Sequence, residues 1–88
     1  MFPTPGSRAN YSRRTATATI KSGRGKLAGF YVASTTAGTI VFHDATAATN
    51  QFTGTITPAV GWHTLPANFS SGLHAVIGGT LDVTIIYE

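Results

Sequence analysis

Hydrophobic and polar residues alternate along most of this chain with a period of two. Threonine and apolar residues take turns over residues 15–20, and the same alternation returns over residues 81–87. Because successive side chains of a β-strand point to opposite faces, this pattern predicts strands with one buried face. No stretch has the i, i+3, i+4 spacing of apolar residues, with capping residues, over three helical turns. The pattern therefore predicts an all-β protein.

Glycine and proline divide the chain into about seven short predicted strands. Glycine-containing turns are expected at residues 22–26, 36–38 and 78–79, and Pro58 and Pro66 each end a strand because proline lacks the backbone N–H. Short strands spaced about ten residues apart are typical of a small antiparallel β-sandwich or barrel, here jelly-roll-like. The predicted strands are residues 15–20, 27–34, 39–44, 52–57, 62–65, 73–77 and 81–87.

The alternation also predicts which side chains form the core. The last strand should bury a row made of Leu81, Val83, Ile85 and Tyr87. Trp62 is expected to fill the core, as a single tryptophan in a small sandwich usually does. The expected core residues are Phe30, Val32, Ile40, Phe42, Phe52, Ile56, Trp62, Leu65, Phe69, Leu73, Val76, Ile77, Val83 and Ile85.

Composition points to a domain that binds other subunits. The chain has 88 residues, of which 42% are hydrophobic and 10% charged. This length allows one small domain, and about a quarter of residues are charged in an average soluble domain. A surface with so few charges favours a homo-oligomer. The absence of cysteine excludes disulfides and thiol chemistry. Without a long apolar run or a secretory signal, the sequence predicts a soluble protein with no membrane contact.

Charge is unevenly distributed along the chain. All six basic residues lie within the first 26 positions, and all three acidic residues follow them. Residues 1–14 contain prolines and no sustained apolar period, so we expect an extended basic arm before a single domain formed by residues 15–88. Such an arm could bind a neighbouring subunit or another acidic partner, bind nucleic acid, or remain a frayed terminus. The candidate partner-binding residues, in the arm and the basic turn, are Arg8, Tyr11, Arg13, Arg14, Lys21, Arg24 and Lys26.

Motifs for catalysis are weak. The segment Gly23-Arg24-Gly25-Lys26 lacks the length and the following Ser or Thr of a phosphate-binding loop, which favours a basic hairpin turn. His43, His63 and His74 are 20 and 11 residues apart, so no strand presents a close pair of metal ligands. No Gly-x-Ser-x-Gly motif or persuasive pair of carboxylates is present. We therefore expect neither enzyme activity, nor a cofactor, nor a metal site.

A resemblance to a known group covers about residues 27–88. It is carried by the segments GTIVFHD (38–44), TITP (55–58), LP (65–66), SGL (71–73), IGGT (77–80) and DVTIIY (82–87). These segments resemble small β-sandwich proteins encoded among the structural genes of tailed bacteriophages. The resemblance implies a virion protein made in the bacterial host cytoplasm. It favours a capsid decoration (cement) protein, with a trimer as the favoured homo-oligomer, that lies on the capsid surface and binds the major capsid protein or other virion subunits. Such a protein would stabilise the head through its β-sandwich and its basic N-terminal arm.

Three alternatives stay open. The protein could be a minor neck or tail structural protein, or a nucleic-acid-binding module that uses the basic arm. Against the second, no aromatic platform alternates with the basic residues in the sequence. A carbohydrate-binding module using Trp62, Tyr31 and a face of the sandwich is the third.

Overall fold

The computed structural model describes residues 10–88, and all of their regular structure is β-strand in one antiparallel sheet. This confirms the all-β prediction, with five strands in the described residues where about seven were expected. No helix in this part of the chain is long and apolar enough to cross a membrane. The strands are β1 (Asn10–Arg14), β2 (Ala18–Ser22), β3 (Gly25–His43), β4 (Gly61–Phe69) and β5 (Gly72–Tyr87).

The two long strands, β3 and β5, form the centre of the sheet. They pair from Leu27 opposite Tyr87 to His43 opposite His74. β1 and β2 follow one another along the other edge of β5, β1 against its second half and β2 against its first. β4 pairs with the first half of β3. One half of the sheet is therefore four-stranded, in the order β1, β5, β3, β4.

β3 bends sharply over the core. Phe30 and Phe42 are 12 residues apart in the same strand. In a straight strand this separation would be roughly 40 Å. Their ring centroids are only 5.5 Å apart. The pairing of β3 with β5 slips between Val32 and Ser34 and again between Thr36 and Thr39. Because such irregularities bend and twist a strand, the two halves of the sheet pack against each other through their apolar faces.

Two predicted turns lie opposite each other at this bend. Thr36 pairs with Thr80 and Thr39 with Gly78, which places residues 36–38 beside residues 78–79. Gly79 has a φ of 65°, and a Cβ added there would collide with the backbone carbonyl oxygen of Ala37. The prediction of chain reversals here was wrong. Residues 27–34 and 39–44 belong to one strand, β3, and residues 73–77 and 81–87 belong to β5.

The predicted strand at residues 52–57 is not a strand. This segment lies beside β3 but joins it through one isolated bridge, between Ile56 and Ile40, and a hydrogen bond from the Phe52 N–H to the Phe42 carbonyl oxygen. A second isolated bridge joins the preceding residue, Gln51, to His43. Its alternating threonines resemble a strand, but Pro58 and the long connection limit its pairing to these few positions.

Ordered structure begins earlier than predicted. β1 lies inside the expected arm and pairs with β5 from Asn10 opposite Tyr87 to Arg14 opposite Val83. The first strand expected at residues 15–20 is displaced to β2. Backbone hydrogen bonds to the open edge of β5 order this segment without any apolar alternation of its own. Residues 1–9, including Arg8, lie outside the described residues.

The core follows the predicted alternation in β3 and β5. Leu81, Val83 and Ile85 are buried as one row, and Tyr87 packs against them partly buried. Trp62 is 46% exposed, so its expected place in the core was wrong. Along β4 the odd-numbered residues face inward, which turns the tryptophan outward. Of the other predicted core residues, Phe30, Val32, Ile40, Phe42, Phe69, Leu73, Val83 and Ile85 are buried, whereas Phe52, Ile56, Leu65, Val76 and Ile77 are partly buried.

Candidate functional site

The predicted partner-binding residues fall in two separate places. Lys21, Arg24 and Lys26 line one cleft, where β2 leads into β3. Tyr11 and Arg13 lie on β1, on the outer face of the four-stranded half of the sheet. Arg14 is partly buried and donates from Nε to the Ser12 hydroxyl at 2.8 Å. The structure therefore separates a set that the sequence grouped together.

The cleft forms where the β2–β3 connection and the β4–β5 connection lie side by side at one corner of the fold. β2 pairs with the start of β5, and the start of β3 pairs with the end of β4. The two connections consequently run antiparallel, and the Gly23 N–H donates to the Ser71 carbonyl oxygen at 3.1 Å. An open cleft of about 610 Å³ lies at this corner. We call Lys21, Arg24 and Lys26 with this cleft the basic corner.

Asp44 lies at one side of the basic corner and binds the backbone of the β4–β5 connection. Its Oδ1 accepts the backbone N–H groups of Ser71 at 2.8 Å and Ser70 at 3.1 Å, with the Gly72 N–H further away at 3.4 Å. These backbone hydrogen bonds, from Ser71 first and then Ser70, hold the pKa of the Asp44 carboxyl below its ordinary value of 3.8. The sequence identified Asp44 only as an acidic residue, because its partners lie more than 25 positions later.

The cations of the basic corner have no ionic partner within residues 10–88. Asp44 and Glu88 also line the cleft, yet neither forms a salt bridge with Lys21, Arg24 or Lys26. The salt bridge found in the described chain joins Arg13 to Asp82, on a different surface. The three positive charges of the corner are therefore available to an acidic group from outside the fold.

Three aromatic side chains are exposed on the outer face of the four-stranded half of the sheet. Tyr11 is 77% exposed, Tyr31 47% and Trp62 46%. The register places Arg13 opposite Thr84, Thr84 opposite Tyr31 and Tyr31 opposite Trp62, so these residues form a row across the sheet. Tyr11 lies in the next row on the same face, two residues before Arg13. We call Tyr11, Tyr31, Trp62, Thr84 and Arg13 the aromatic face.

The indole of Trp62 is held against the sheet. Its Nε1–H donates to the Thr64 hydroxyl at 2.8 Å. A Cβ placed on Gly29 would lie 2.7 Å from Cζ2 and 2.8 Å from Cη2 of the indole. The ring therefore covers the backbone of Gly29, and a side chain at that position would displace it. The alternation of apolar and polar residues along β4 indicates this outward orientation. The prediction of a buried tryptophan relied instead on the usual place of a single tryptophan in a small sandwich.

Arg13 and Asp82 neutralise each other at the β1 end of the aromatic face. Arg13 Nε donates to Oδ1 of Asp82 at 2.9 Å and Nη2 donates to Oδ2 at 2.7 Å. This two-point pairing lowers the pKa of Asp82 and raises that of Arg13. Arg13, predicted as a free basic group, is thus paired within the fold. The aromatic platform that was missing from the sequence is present on the same face.

The histidines form no metal cluster in the described part of the chain. His43 is buried beside His74 in the neighbouring strand, with ring centroids 6.0 Å apart, and its Nδ1 has no hydrogen-bond partner. The Nδ1 of His74 lies 2.9 Å from the Thr19 hydroxyl, and Nε2 of His63 lies 2.7 Å from the Ala59 carbonyl oxygen. Burial, followed by repulsion from His43, lowers the pKa of His74.

Comparison with known proteins identifies no relative: the chain matches no protein-family model, no curated protein and no solved structure. The resemblance to phage structural proteins therefore stays a prediction.

Proposed function

We propose that this protein is a structural virion protein of a tailed bacteriophage, acting through its surfaces and without catalysis. In this proposal it is a capsid decoration protein, a small β-sandwich subunit that binds the major capsid protein lattice on the capsid surface. The observation that carries the proposal is the basic corner. Lys21, Arg24 and Lys26 converge there with no salt bridge in the described residues.

Electrostatic complementarity supports an acidic docking partner. Asp82 is paired with Arg13 on another surface. Lys21, Arg24 and Lys26 share the cleft with the carboxylates of Asp44 and Glu88, so cations outnumber anions there and the corner keeps an excess of positive charge. Such a patch speeds encounter with an acidic surface and sets the orientation of docking.

The open edge of the sheet supports assembly into a multi-subunit structure. In residues 10–88 the sheet order ends at β4, and β4 contains no charged residue. Natural sheets protect exposed edges with charges, bulges, prolines or a covering chain. Pro66 lies inside β4, so the prediction that it ends a strand was wrong. Pro66 and the irregular pairing of β4 with β3 beside it protect part of the edge, and in this proposal a neighbouring copy or capsid subunit covers the rest. Many weak contacts of this kind, repeated over a lattice, add up to firm binding.

The test is the composition of purified phage particles. We expect the protein in particles at a copy number that is a simple fraction of the major capsid protein. Arg24→Glu, which reverses one charge of the basic corner, should reduce that occupancy. The control is the double variant Thr55→Glu/Thr57→Glu, which makes the same change in net charge at exposed positions that do not line the cleft and should retain occupancy. Absence of the wild-type protein from particles would refute the proposal.

The same corner could instead receive phosphates, so nucleic acid is the competing partner. We expect no binding to a generic DNA duplex at physiological salt. Binding that falls steeply with salt and is lost in Arg24→Glu would replace capsid docking by nucleic-acid binding. Immunogold labelling at the neck or tail, with none on the head, would assign the protein to the alternative location.

A further inference from the structure

We propose that the aromatic face is a binding site for neutral carbohydrate, with sugar rings stacked on Trp62 and Tyr31. This site lies apart from the basic corner and uses other residues. Its failure would leave the proposed capsid docking untouched.

The first argument is the fixed orientation of the tryptophan. The indole rests on the backbone of Gly29 and is oriented by its hydrogen bond to Thr64, with 46% of the residue exposed. The ring is therefore held against the sheet beside Gly29, and nearly half of the residue's surface faces solvent. A ring held this way needs no reordering when a flat, apolar surface such as the C–H face of a pyranose stacks on it.

The second argument is charge. Arg13 and Asp82 are paired at two points, so the row that they end carries no net charge. Binding of single-stranded nucleic acid to aromatic side chains requires free cations that follow the phosphates, and here the nearest arginine is already paired. A neutral ligand suits a neutral face.

The third argument is the supply of polar groups beside the rings. A guanidinium has five N–H donors, and Arg13 uses two of them on Asp82. The carboxylate keeps free lone pairs, and Thr84 places a hydroxyl between Arg13 and Tyr31. Donors and acceptors next to an aromatic surface are what vicinal sugar hydroxyls require.

The fourth argument is the extent of the face. Tyr11 lies on β1, two strands away from Tyr31 on β3. With neighbouring strands spaced about 4.8 Å apart, the exposed rings of β1, β3 and β4 span roughly 15 Å. That length accommodates a chain of sugars better than one monosaccharide. A protein partner is less suited, because protein hot spots are anchors that project into pockets, whereas this indole is held back against its own sheet by Thr64 and lies beside Gly29.

The experiment is affinity electrophoresis of the full chain through gels that contain a neutral glucan, mannan or galactan. We expect at least one polymer to retard the protein, in low and high salt alike. Trp62→Ala and Tyr31→Ala should each weaken binding about tenfold, and Trp62→Phe should retain part of it. Val60→Ala is the control. It shortens an apolar side chain that is 60% exposed and removes no aromatic ring. Circular dichroism verifies that each variant is folded.

Three results would overturn the assignment. The first is no retardation by any neutral polymer. The second is retardation that Trp62→Ala and Tyr31→Ala leave unchanged. The third is a dimer in sedimentation equilibrium that Trp62→Ala dissociates, which would make the aromatic face a contact between copies of this chain. Retardation only by an anionic polymer or by single-stranded DNA, abolished by salt, equally contradicts a neutral ligand.

Discussion

Gly79→Ala should destabilise the fold strongly, because Gly79 forms the bend that brings the two halves of the sheet together. Its φ of 65° lies in the left-handed region, and the backbone carbonyl oxygen of Ala37 occupies the space of a Cβ. Alanine must therefore adopt an unfavourable backbone conformation and also push away the opposite strand. The collision involves backbone atoms, so no side-chain rotation relieves it.

The size of the effect follows from these two costs. A left-handed conformation costs a residue with a Cβ about 1–2 kcal/mol. A shift of the Ala37 backbone adds a cost similar to that of an overpacked site, about 1–3 kcal/mol. A total of about 2–5 kcal/mol is a large part of the roughly 4–13 kcal/mol expected for a domain of this length. The midpoint of thermal unfolding should fall by roughly 10–40 °C.

The measurement is urea unfolding followed by circular dichroism, with Gly54→Ala as the matched control. Nothing lies within 4 Å of a Cβ at Gly54, and its φ is not in the left-handed region. That variant should be neutral or more stable by about 0.4–1 kcal/mol. Ala37→Gly provides a test of opposite sign, because Ala37 has a φ of 51° and its replacement should not destabilise the fold. Equal unfolding free energies for Gly79→Ala and Gly54→Ala would refute this account of the bend.

Three further predictions concern the core, the corner and the buried histidines. Phe42→Ala should cost about 3–5 kcal/mol in unfolding free energy, and Phe52→Ala less, because only Phe42 is fully buried. Asp44→Asn should lower the unfolding free energy at pH 7 and make it depend less on pH in acid. The pKa of Asp44 is lowered in the folded state, so the stabilisation by this carboxylate is present above pH 3.8 and is lost as the pH falls through the pKa of the folded state. An unchanged pH dependence in acid for Asp44→Asn would contradict this role of Asp44. The pKa of His74 is also lowered, so the unfolded state takes up a proton first, and stability should fall as the pH drops below 6.5. Unfolding by urea at pH 7.5 and 5.5 should show this loss in the wild type and a smaller one in His74→Gln.

The buried faces of the long strands could be predicted from the sequence. In residues 81–87 every second side chain is apolar, and Leu81, Val83 and Ile85 are fully buried as that alternation requires. The prediction succeeds because a strand paired on both edges has no freedom to change which face is inside.

Bends could not be distinguished from turns. Glycine at residues 78–79 permits a chain reversal and equally permits a bulged strand with a left-handed residue, and both satisfy the same local rule. What selects the bend is the partner strand, whose own irregular segment lies opposite at Thr36–Thr39. That pairing joins positions about 40 residues apart, which local patterns do not contain.

The two surfaces differed in how far the sequence could reveal them. Lys21, Arg24 and Lys26 lie within six positions of each other around one turn, so their clustering was predictable from proximity. Tyr11, Tyr31 and Trp62 come from three strands, and only the register brings them to one face. The pairing of Arg13 with Asp82, 69 positions later, was likewise invisible, and it decides that this face is neutral.

The uneven charge along the chain becomes an uneven charge in space, because the single salt bridge of the described residues lies on the aromatic face. Asp82 neutralises Arg13 there. At the basic corner three cations meet only two carboxylates, those of Asp44 and Glu88, so an excess of positive charge remains. Under the two proposals, docking through the corner weakens as salt screens it, whereas stacking on the neutral face persists. The basic corner and the aromatic face would therefore respond differently to ionic strength. Because they share no residues, a copy docked through the corner would keep its aromatic face free for an uncharged glycan.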